Sequence, residues 1–444
     1  MKYFGTDGFR GQANGSLTAI HAFRVGRFLG RYYSRGKRAR IVVGKDTRLS
    51  SYTFEYAFAA GATASGADVY LLHVTTTPSV AYVVRTENMD CGVMISASHN
   101  LFADNGIKLF GGDGEKLSED VLQQVEDYLD GGTLPLATGA DIGRTVDYVA
   151  GRNRYLAYLL SLPKTSLRGL RVGLDCANGS AWALAKTVFD ALGAQVYLIG
   201  ASPDGTNINA GCGSTKPAAL AELVRLHSLD VGFAFDGDAD RCICVDEMGG
   251  IVDGDGILYV CARHMKERGE LGEGGVVTTI VSNLALARAL ERSGIVVTHV
   301  QVGDKYVAEE MAARGAILGG EPSGHIVFRK YAGTGDGILT AIMISEIMLE
   351  RKSPLSCLLR GYKPYPQRRS DVPCKNAAQT LQQEGVRRAV ERAERLSGGR
   401  VVVRPSGTEP VLRILAECED ESAASDAVGI IERAVVSAEE ALCC

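Results

Sequence analysis

The chain has 444 residues, 46% hydrophobic and 23% charged, with a net charge of −4. That balance excludes extended disorder, and the length allows roughly two to four domains. A net-acidic chain lacks the clustered basic charge that general nucleic-acid or membrane-surface binding needs, although local cations can still hold a small anion.

The predicted elements alternate. Ile41 to Val43 reads as a strand ending at Gly44-Lys45-Asp46, followed by a helix over 53–65. A strand over 69–74, a helix over 79–86 and a strand over 91–95 come next. The rhythm returns with a strand ending at Asp175, a helix over 182–192 and a strand over 196–199. Ser214-Thr215-Lys216-Pro217 reads as a hydroxyl-capped helix start. Val231 to Phe235 is a strand ending at Asp236, and further strands are expected at 276–281, 296–300 and 317–318. Such alternation argues for βαβ units around a largely parallel sheet, and its recurrence hints at related units. The tail differs. Helical residues 376–397, a Gly398-Gly399 break, strands at 400–403 and 411–417 and a helix over 421–440 suggest a small α+β domain, with Pro364 and Pro366 marking a linker before it. The expected domains are 1–150, 151–250, 251–364 and 365–444.

The 53 glycines exceed the usual share of about 7%, so many tight loops follow. The eleven cysteines contain no CxxC pair and do not read as a disulfide framework. Cys242 and Cys244 share one face of a strand, and Cys443 and Cys444 read as exposed thiols. No signal-peptide core opens the chain, and no apolar run approaches the ~18 residues of a membrane span. The expected location is the reducing cytoplasm.

Asp236-Gly237-Asp238-Ala239-Asp240-Arg241 is the strongest local signal. Like charges about 4 Å apart repel by about 4 kcal/mol at an effective dielectric near 20. Three converging aspartates therefore need a cation or protonation, and all-oxygen ligands suit magnesium, manganese or calcium. An EF-hand fails at Arg241, where the sharp turn requires glycine, and its flanks read as strands; a plain solvated acidic turn is the bland alternative. Ser96-Ala97-Ser98-His99-Asn100 follows a strand, where α/β folds build sites, and pairs a candidate nucleophile with a candidate base. Taken alone it reads more readily as an ordinary turn. Gly320-Glu321-Pro322-Ser323-Gly324-His325 offers a carboxylate, a hydroxyl and an imidazole suited to vicinal sugar hydroxyls. Arg404-Pro405-Ser406-Gly407-Thr408-Glu409-Pro410, with Arg413, forms a plausible phosphate nest, though a Pro-Gly turn between strands would look similar. No Walker loop occurs, and Gly333-Thr334-Gly335-Asp336-Gly337 lacks dinucleotide-loop spacing. A metal site, a nucleophile, a hydroxyl-recognition loop and a phosphate nest together fit a cleft for a substrate that is both sugar and phosphate.

These four segments, in this order, resemble the α-D-phosphohexomutase family across essentially the whole chain. Phe4-Gly5-Thr6-Asp7-Gly8-Phe9-Arg10-Gly11, Asp104-Asn105-Gly106-Ile107-Lys108, Val302-Gly303-Asp304-Lys305-Tyr306-Val307 and Thr334-Gly335-Asp336-Gly337 add to the likeness. The resemblance implies an α/β fold of four domains around a central cleft: three similar mixed α/β domains and a smaller C-terminal α+β domain. It implies an intramolecular phosphotransferase in which phosphorylated Ser98 interconverts glucosamine 6-phosphate and glucosamine 1-phosphate through a 1,6-bisphosphate, of glucosamine or glucose. One Mg2+ per chain would be held by Asp236, Asp238 and Asp240 with an oxygen on Ser98. Arg10, His99 and Lys108 would line the transfer site, with Lys108 favoured over His99 for the proton relay. Arg241 would anchor the metal loop or the serine phosphate. Glu321 and Ser323 would contact sugar hydroxyls with Lys305 and His325 nearby. Arg404, Ser406, Gly407, Thr408 and Arg413 would hold the phosphate that does not react. The implied partner is a small hexosamine phosphate, not nucleic acid or membrane, and a homodimer is compatible with the family.

Three positions depart from the family pattern. Leu101 stands where proline usually follows the Ser-His-Asn run, Phe9 replaces an aliphatic residue, and Pro322 occupies the variable slot of the sugar loop and removes a backbone donor there. Phosphomannomutase or phosphoglucomutase activity is the alternative within the class. A metal-dependent sugar-phosphate phosphatase is the alternative outside it.

Overall fold

Unbroken apolar runs such as Ile41-Val42-Val43 and Val231 to Phe235 lack the alternation of a strand with one wet face, and every residue in both is buried. Such strands need helices on both sides. A computed structural model supplies them, and it describes every residue except Thr6, Arg35, 407–409 and Cys444, with 441–443 described by their backbone. Two compact units divide the chain: 1–281 with 295–359, and 282–294 with 360–444.

The first unit carries three sheets. The first is built from β1 (Phe4–Gly5), β2 (Gly8–Gln12), β3 (Arg40–Lys45), β4 (Asp68–Val74), β5 (Cys91–Ile95), β6 (Asp104–Gly111) and β7 (Thr145–Asp147), in the order β1-β2-β6-β5-β3-β4-β7. Its helices are α1 (Ala19–Tyr33), α2 (Leu49–Thr63), α3 (Thr77–Thr86), α4 (Glu119–Leu129) and α5 (Val149–Ser161). The second sheet holds β8 (Arg171–Asp175), β9 (Gln195–Ile199), β10 (Val231–Phe235), β11 (Cys242–Asp246) and β12 (Ile251–Val252), with α6 (Ala181–Ala191) and α7 (Ala218–His227). After α8 (Gly254–Glu267) comes β13 (Val276–Thr279), then α9 (Leu284–Arg292), which belongs to the second unit. The third sheet continues with β14 (Val297–Val300), α10 (Asp304–Arg314), β15 (Leu318–Gly320), β16 (Ile326–Phe328), α11 (Gly337–Arg351) and α12 (Leu355–Leu358).

All three sheets share one device. A parallel pair at the centre, β3–β5, β8–β10 or β13–β15, is followed by an antiparallel neighbour, β6, β11 or β16. The sheets are therefore mixed rather than largely parallel. A short loop can join antiparallel strands, whereas a parallel partner needs a crossover. The Ser98, Asp236 and Glu321 loops are these three connections. The expected helix start at 214–217 also shifts. α7 begins at Ala218, Pro217 takes the cap position without a side-chain bond, and Lys216 N–H closes a turn on Gly213.

In the second unit, α9 joins β17 (Gln367–Pro373), α13 (Ala377–Gln382), α14 (Glu384–Ser397), β18 (Arg400–Pro405), β19 (Val411–Glu417) and α15 (Glu421–Cys443). The sheet β17-β19-β18 is antiparallel throughout. Val372, Leu412, Ile414, Ile431 and Val435 centre its core. Gly398 ends α14 in the left-handed region, as the Gly-Gly break suggested. No helix among the described residues is long and apolar enough to cross a membrane.

Candidate active site

Ser98 stands on the β5–β6 connection, fully buried, with φ +52°. A left-handed serine is an uncommon conformation that the surroundings must hold. They do so densely. Ser96 Oγ accepts the Ser98 N–H at 2.9 Å and donates to Asp46 at 2.7 Å. The buried Arg48 guanidinium binds Asp46 and donates to the carbonyls of Ser98 (3.0 Å), Asn100 (2.8 Å), Leu101 and Asp104 (3.1 Å). Asn209 donates to the Ser98 and Asn100 carbonyls, both at 2.8 Å. Leu101, where proline was expected, thus contributes through its carbonyl while its side chain is exposed.

The Ser98 hydroxyl donates to Asp236 Oδ2 at 2.5 Å. The approach is close enough that a Cβ on Gly237 would lie 2.5 Å from the Ser98 carbonyl oxygen, so glycine is required there. Asp236, Asp238 and Asp240 are all buried, and one candidate ligand atom from each lies within 4.8 Å of the others. Lys108 Nζ meets Asp238 Oδ2 at 2.7 Å and Asp240 Oδ2 at 3.0 Å. Oδ1 of both Asp238 and Asp240 is buried without a hydrogen-bond partner among the described residues. Three close carboxylates, two of them with a buried oxygen that has no hydrogen-bond partner among the described residues and none accompanied by a histidine or cysteine ligand in the group, fit a hard divalent cation.

Burial, then the charges of Asp240 and Asp238, push Asp236 well above the usual carboxylate range. Burial opposes ionisation of Asp240 too, but Lys108, His325 and Arg241 hold it low. Burial would lower the Lys108 ammonium, and the facing aspartates outweigh it and hold the pKa well above the ordinary lysine value. His99 is lowered to about 4, first by burial and then by Arg241, whose Nη1 lies 3.1 Å from Nδ1. The same Nδ1 is 3.4 Å from Ser98 Oγ. Arg241 also donates its backbone N–H to Asp236 Oδ1 at 3.2 Å. Arg10, on β2, pairs with Asp7, which Lys116 also reaches at 3.0 Å.

The third connection brings Glu321 and His325 to the same place. A cavity of about 270 Å³ is lined by Asp7, Asp240, Arg241, Glu321, Ser323 and His325. His325 Nε2 accepts the Gly335 N–H at 3.1 Å, and its Nδ1 lies 3.8 Å from Asp240. Glu321 accepts the Gly303 N–H at 3.1 Å, and Ser323 is exposed. The turn is closed by the N–H groups of Glu321 and Gly324, so the donor missing at Pro322 is not one the turn uses. Lys305 lines a cavity together with His325, and its ammonium pairs with Glu119 on α4 and lies 3.7 Å from Glu309.

In the second unit, Arg404 on β18 and Arg413 on β19 are register partners, and Ser406 N–H bonds Val411 at 3.0 Å. Gly407 and Thr408 lie outside the described residues. Sequence reasoning missed Asp46, Arg48, Thr77, Lys116 and Asn209. For Asp46, Arg48 and Thr77 the available signal was position: Asp46-Thr47-Arg48 and Thr75-Thr76-Thr77-Pro78 follow β3 and β4 at their carboxyl ends, where such folds place sites.

Comparison with known proteins gives a consistent result. The chain matches the phosphoglucomutase/phosphomannomutase α/β/α domains I, II and III over residues 1–134, 153–249 and 253–365, and the C-terminal domain of the same family over 371–432. Phosphoglucosamine mutase of Lachnospira eligens is 58% identical over 423 residues, 94% of each chain. The enzyme of that name from Lachnoclostridium phytofermentans is 55% identical over 420 residues, again 94% of each. Among solved structures, a phosphoglucomutase/phosphomannomutase family protein from Burkholderia thailandensis superposes with TM-score 0.82 at 24% identity, covering 98% of this chain and 97% of that one. Aspergillus fumigatus N-acetylphosphoglucosamine mutase, solved with GlcNAc-6P and magnesium, gives TM-score 0.64 at 16% identity, covering 98% and 96%.

Proposed function

This chain belongs to the phosphoglucomutase/phosphomannomutase family, the α-D-phosphohexomutases, and from that premise we propose that it interconverts glucosamine 6-phosphate and glucosamine 1-phosphate. The observation that carries the reading is the Ser98 hydroxyl set against Asp236 at 2.5 Å, inside a cluster of three buried carboxylates. Two relatives above half identity, both named for the glucosamine reaction, favour that sugar over mannose or glucose.

The reaction is a phosphoryl transfer run twice. In the first half, the bond between phosphorus and Ser98 Oγ breaks as one to a sugar hydroxyl oxygen forms, giving the 1,6-bisphosphate. In the second, the bond between the other phosphorus and its sugar oxygen breaks as one to Ser98 Oγ forms, leaving a free sugar hydroxyl and restoring the phosphoserine. Each attacking hydroxyl must give up its proton and each departing oxygen must gain one. Of the two candidates for this relay, the Lys108 ammonium, held charged by Asp238 and Asp240, can only donate, whereas the His99 imidazole, 3.4 Å from Ser98 Oγ, can accept. Arg10 and Arg241 flank the site and offer guanidinium donors for equatorial oxygens. Glu321 and Ser323 bind the sugar hydroxyls, with His325 beside them. Lys305 serves the same substrate only if it leaves Glu119. Arg404, Ser406, Gly407, Thr408 and Arg413 hold the phosphate that does not react.

Asp236, Asp238 and Asp240, with an oxygen on Ser98, would hold one Mg2+. When bound, that ion neutralises charge on the transferring group. Alignment and electrostatic stabilisation dominate such transfers, and the protein supplies both through fixed groups. Nine of the described cysteines are free thiols, which suits the reducing cytoplasm proposed as the place of work.

The test is a substrate panel with a bisphosphate activator. Turnover should be highest on glucosamine phosphate. Preference for mannose or glucose phosphate would move the assignment within the family. Release of free phosphate without isomer formation would instead indicate a phosphatase.

A further inference from the structure

Asp238 belongs to the second sheet's loop, yet a group that orients its carboxylate comes from the first sheet. α3 begins at Thr77, and this residue meets Asp238 twice. Its backbone N–H donates to the Asp238 carbonyl at 2.9 Å, and its hydroxyl donates to Oδ2 at 2.5 Å. The two residues are 1% and 0% exposed. Lys108 Nζ reaches the same Oδ2 at 2.7 Å. One oxygen is therefore doubly bound, while the buried Oδ1 has no hydrogen-bond partner among the described residues. A carboxylate fixed by one oxygen and bare at the other is aimed rather than merely neutralised.

Lys108 alone would not do this. Its ammonium is shared with Asp240 at 3.0 Å, so it draws both carboxylates toward itself rather than setting the orientation of one. Thr77 differs in kind. Thr76 caps α3 by accepting the Ser79 N–H, and Pro78 lies in the first turn, so the backbone at Thr77 is fixed. A β-branched side chain is also stiff about χ1. The helix start adds partial positive charge beside the carboxylate.

We propose that Thr77 is a positioning residue for cation binding: by holding Oδ2 of Asp238 it presents Oδ1 to the divalent ion and thereby sets metal affinity. The proposal rests on reading the triad as a metal site. Outer-shell partners of this kind shape affinity through the ligand they orient, without touching the ion.

The experiment titrates Mn2+ into the full-length protein and follows free ion by electron paramagnetic resonance. Thr77→Val, which swaps the hydroxyl for a methyl, should weaken Mn2+ binding about 10- to 100-fold, while Thr77→Ser should stay within about threefold of wild type. The Mg2+ concentration for half-maximal activity should rise in step for Thr77→Val, with kcat at saturating Mg2+ far less affected. Wild-type Mn2+ affinity in Thr77→Val overturns the proposal. So does equal weakening in both variants, or a loss of melting temperature with no change in the Mn2+ constant. Should Thr77→Val not fold, Thr77→Ala takes its place with the same expectation and the same overturning result. Failure of the underlying metal reading is distinguishable: wild-type protein would then bind no Mn2+, or would bind it equally after Asp236→Asn.

Discussion

Arg48 donates to the carbonyl of Ser98 at 3.0 Å from a side chain with no solvent exposure. The same guanidinium is ion-paired to Asp46 and spans the loop through Asp104. One cation thus fixes both the left-handed backbone of the nucleophile and the return of the chain into β6. Replacing it by lysine keeps the charge but not the planar fork. Arg48→Lys should lower turnover at least tenfold, and Arg48→Ala should also destabilise by about 3–5 kcal/mol because Asp46 is left buried and unpaired. Mutase assays and chemical denaturation read the two effects. Wild-type turnover in Arg48→Lys would remove the loop-positioning role.

Ser98→Ala should abolish interconversion while leaving sugar-phosphate binding measurable by calorimetry. Intact mass of the wild-type protein incubated with bisphosphate should show one added phosphoryl group, absent from the variant. An alanine variant that still turns over at a tenth of the normal rate would exclude Ser98 as the carrier.

Three buried carboxylates in one place destabilise the ion-free protein, so a divalent cation should stabilise it. At Mg2+ about 100 times its dissociation constant the gain is about 2.7 kcal/mol, visible as a raised melting temperature. Chelation should remove both activity and that increment, and Asp238→Asn should lose the response. A melting temperature indifferent to Mg2+ would count against the site.

Asp336 caps α11, accepting the Leu339 N–H at 3.0 Å and the Tyr155 hydroxyl at 2.7 Å. Burial raises its pKa to about 6. An aspartate in the unfolded chain titrates near 3.9, so the native state binds this proton more tightly. The associated stability is fully present below about pH 4 and is lost as pH rises through about 6. Asp336→Asn keeps a neutral cap, so its stability relative to wild type should climb between pH 4 and 8, by up to about 3 kcal/mol. A difference independent of pH would show that the carboxyl titrates normally.

The parts legible in the sequence were those whose meaning is local. Asp236-Gly237-Asp238-Ala239-Asp240 announces itself because three charges follow a strand within five residues, and its flanking strands were read correctly. Residues that act through distant partners were not. Thr77 meets Asp238 across 161 positions, and Asn209 meets Ser98 across 111. Nothing in a threonine before a proline identifies such a partner. β2 and β6 were missed for a related reason. Asp104-Asn105-Gly106-Ile107-Lys108 mixes polar residues into a strand, and Asn105 and Lys108 become buried only because they find partners on other elements. The ion pair of Lys305 with Glu119, 186 positions earlier, was likewise not legible in the sequence.

The serine, the aspartates and the glutamate loop each occupy the same hairpin slot of a different sheet. The slots are tied to one another: Ser98 Oγ reaches Asp236, and the Cys242 N–H donates to the Gly324 carbonyl at 2.9 Å. A change of backbone in one loop is therefore transmitted to the next. Residue 322 escapes that constraint, because the turn uses no N–H from that position, so it is a place where the third loop can vary while its ties to the other two stay intact.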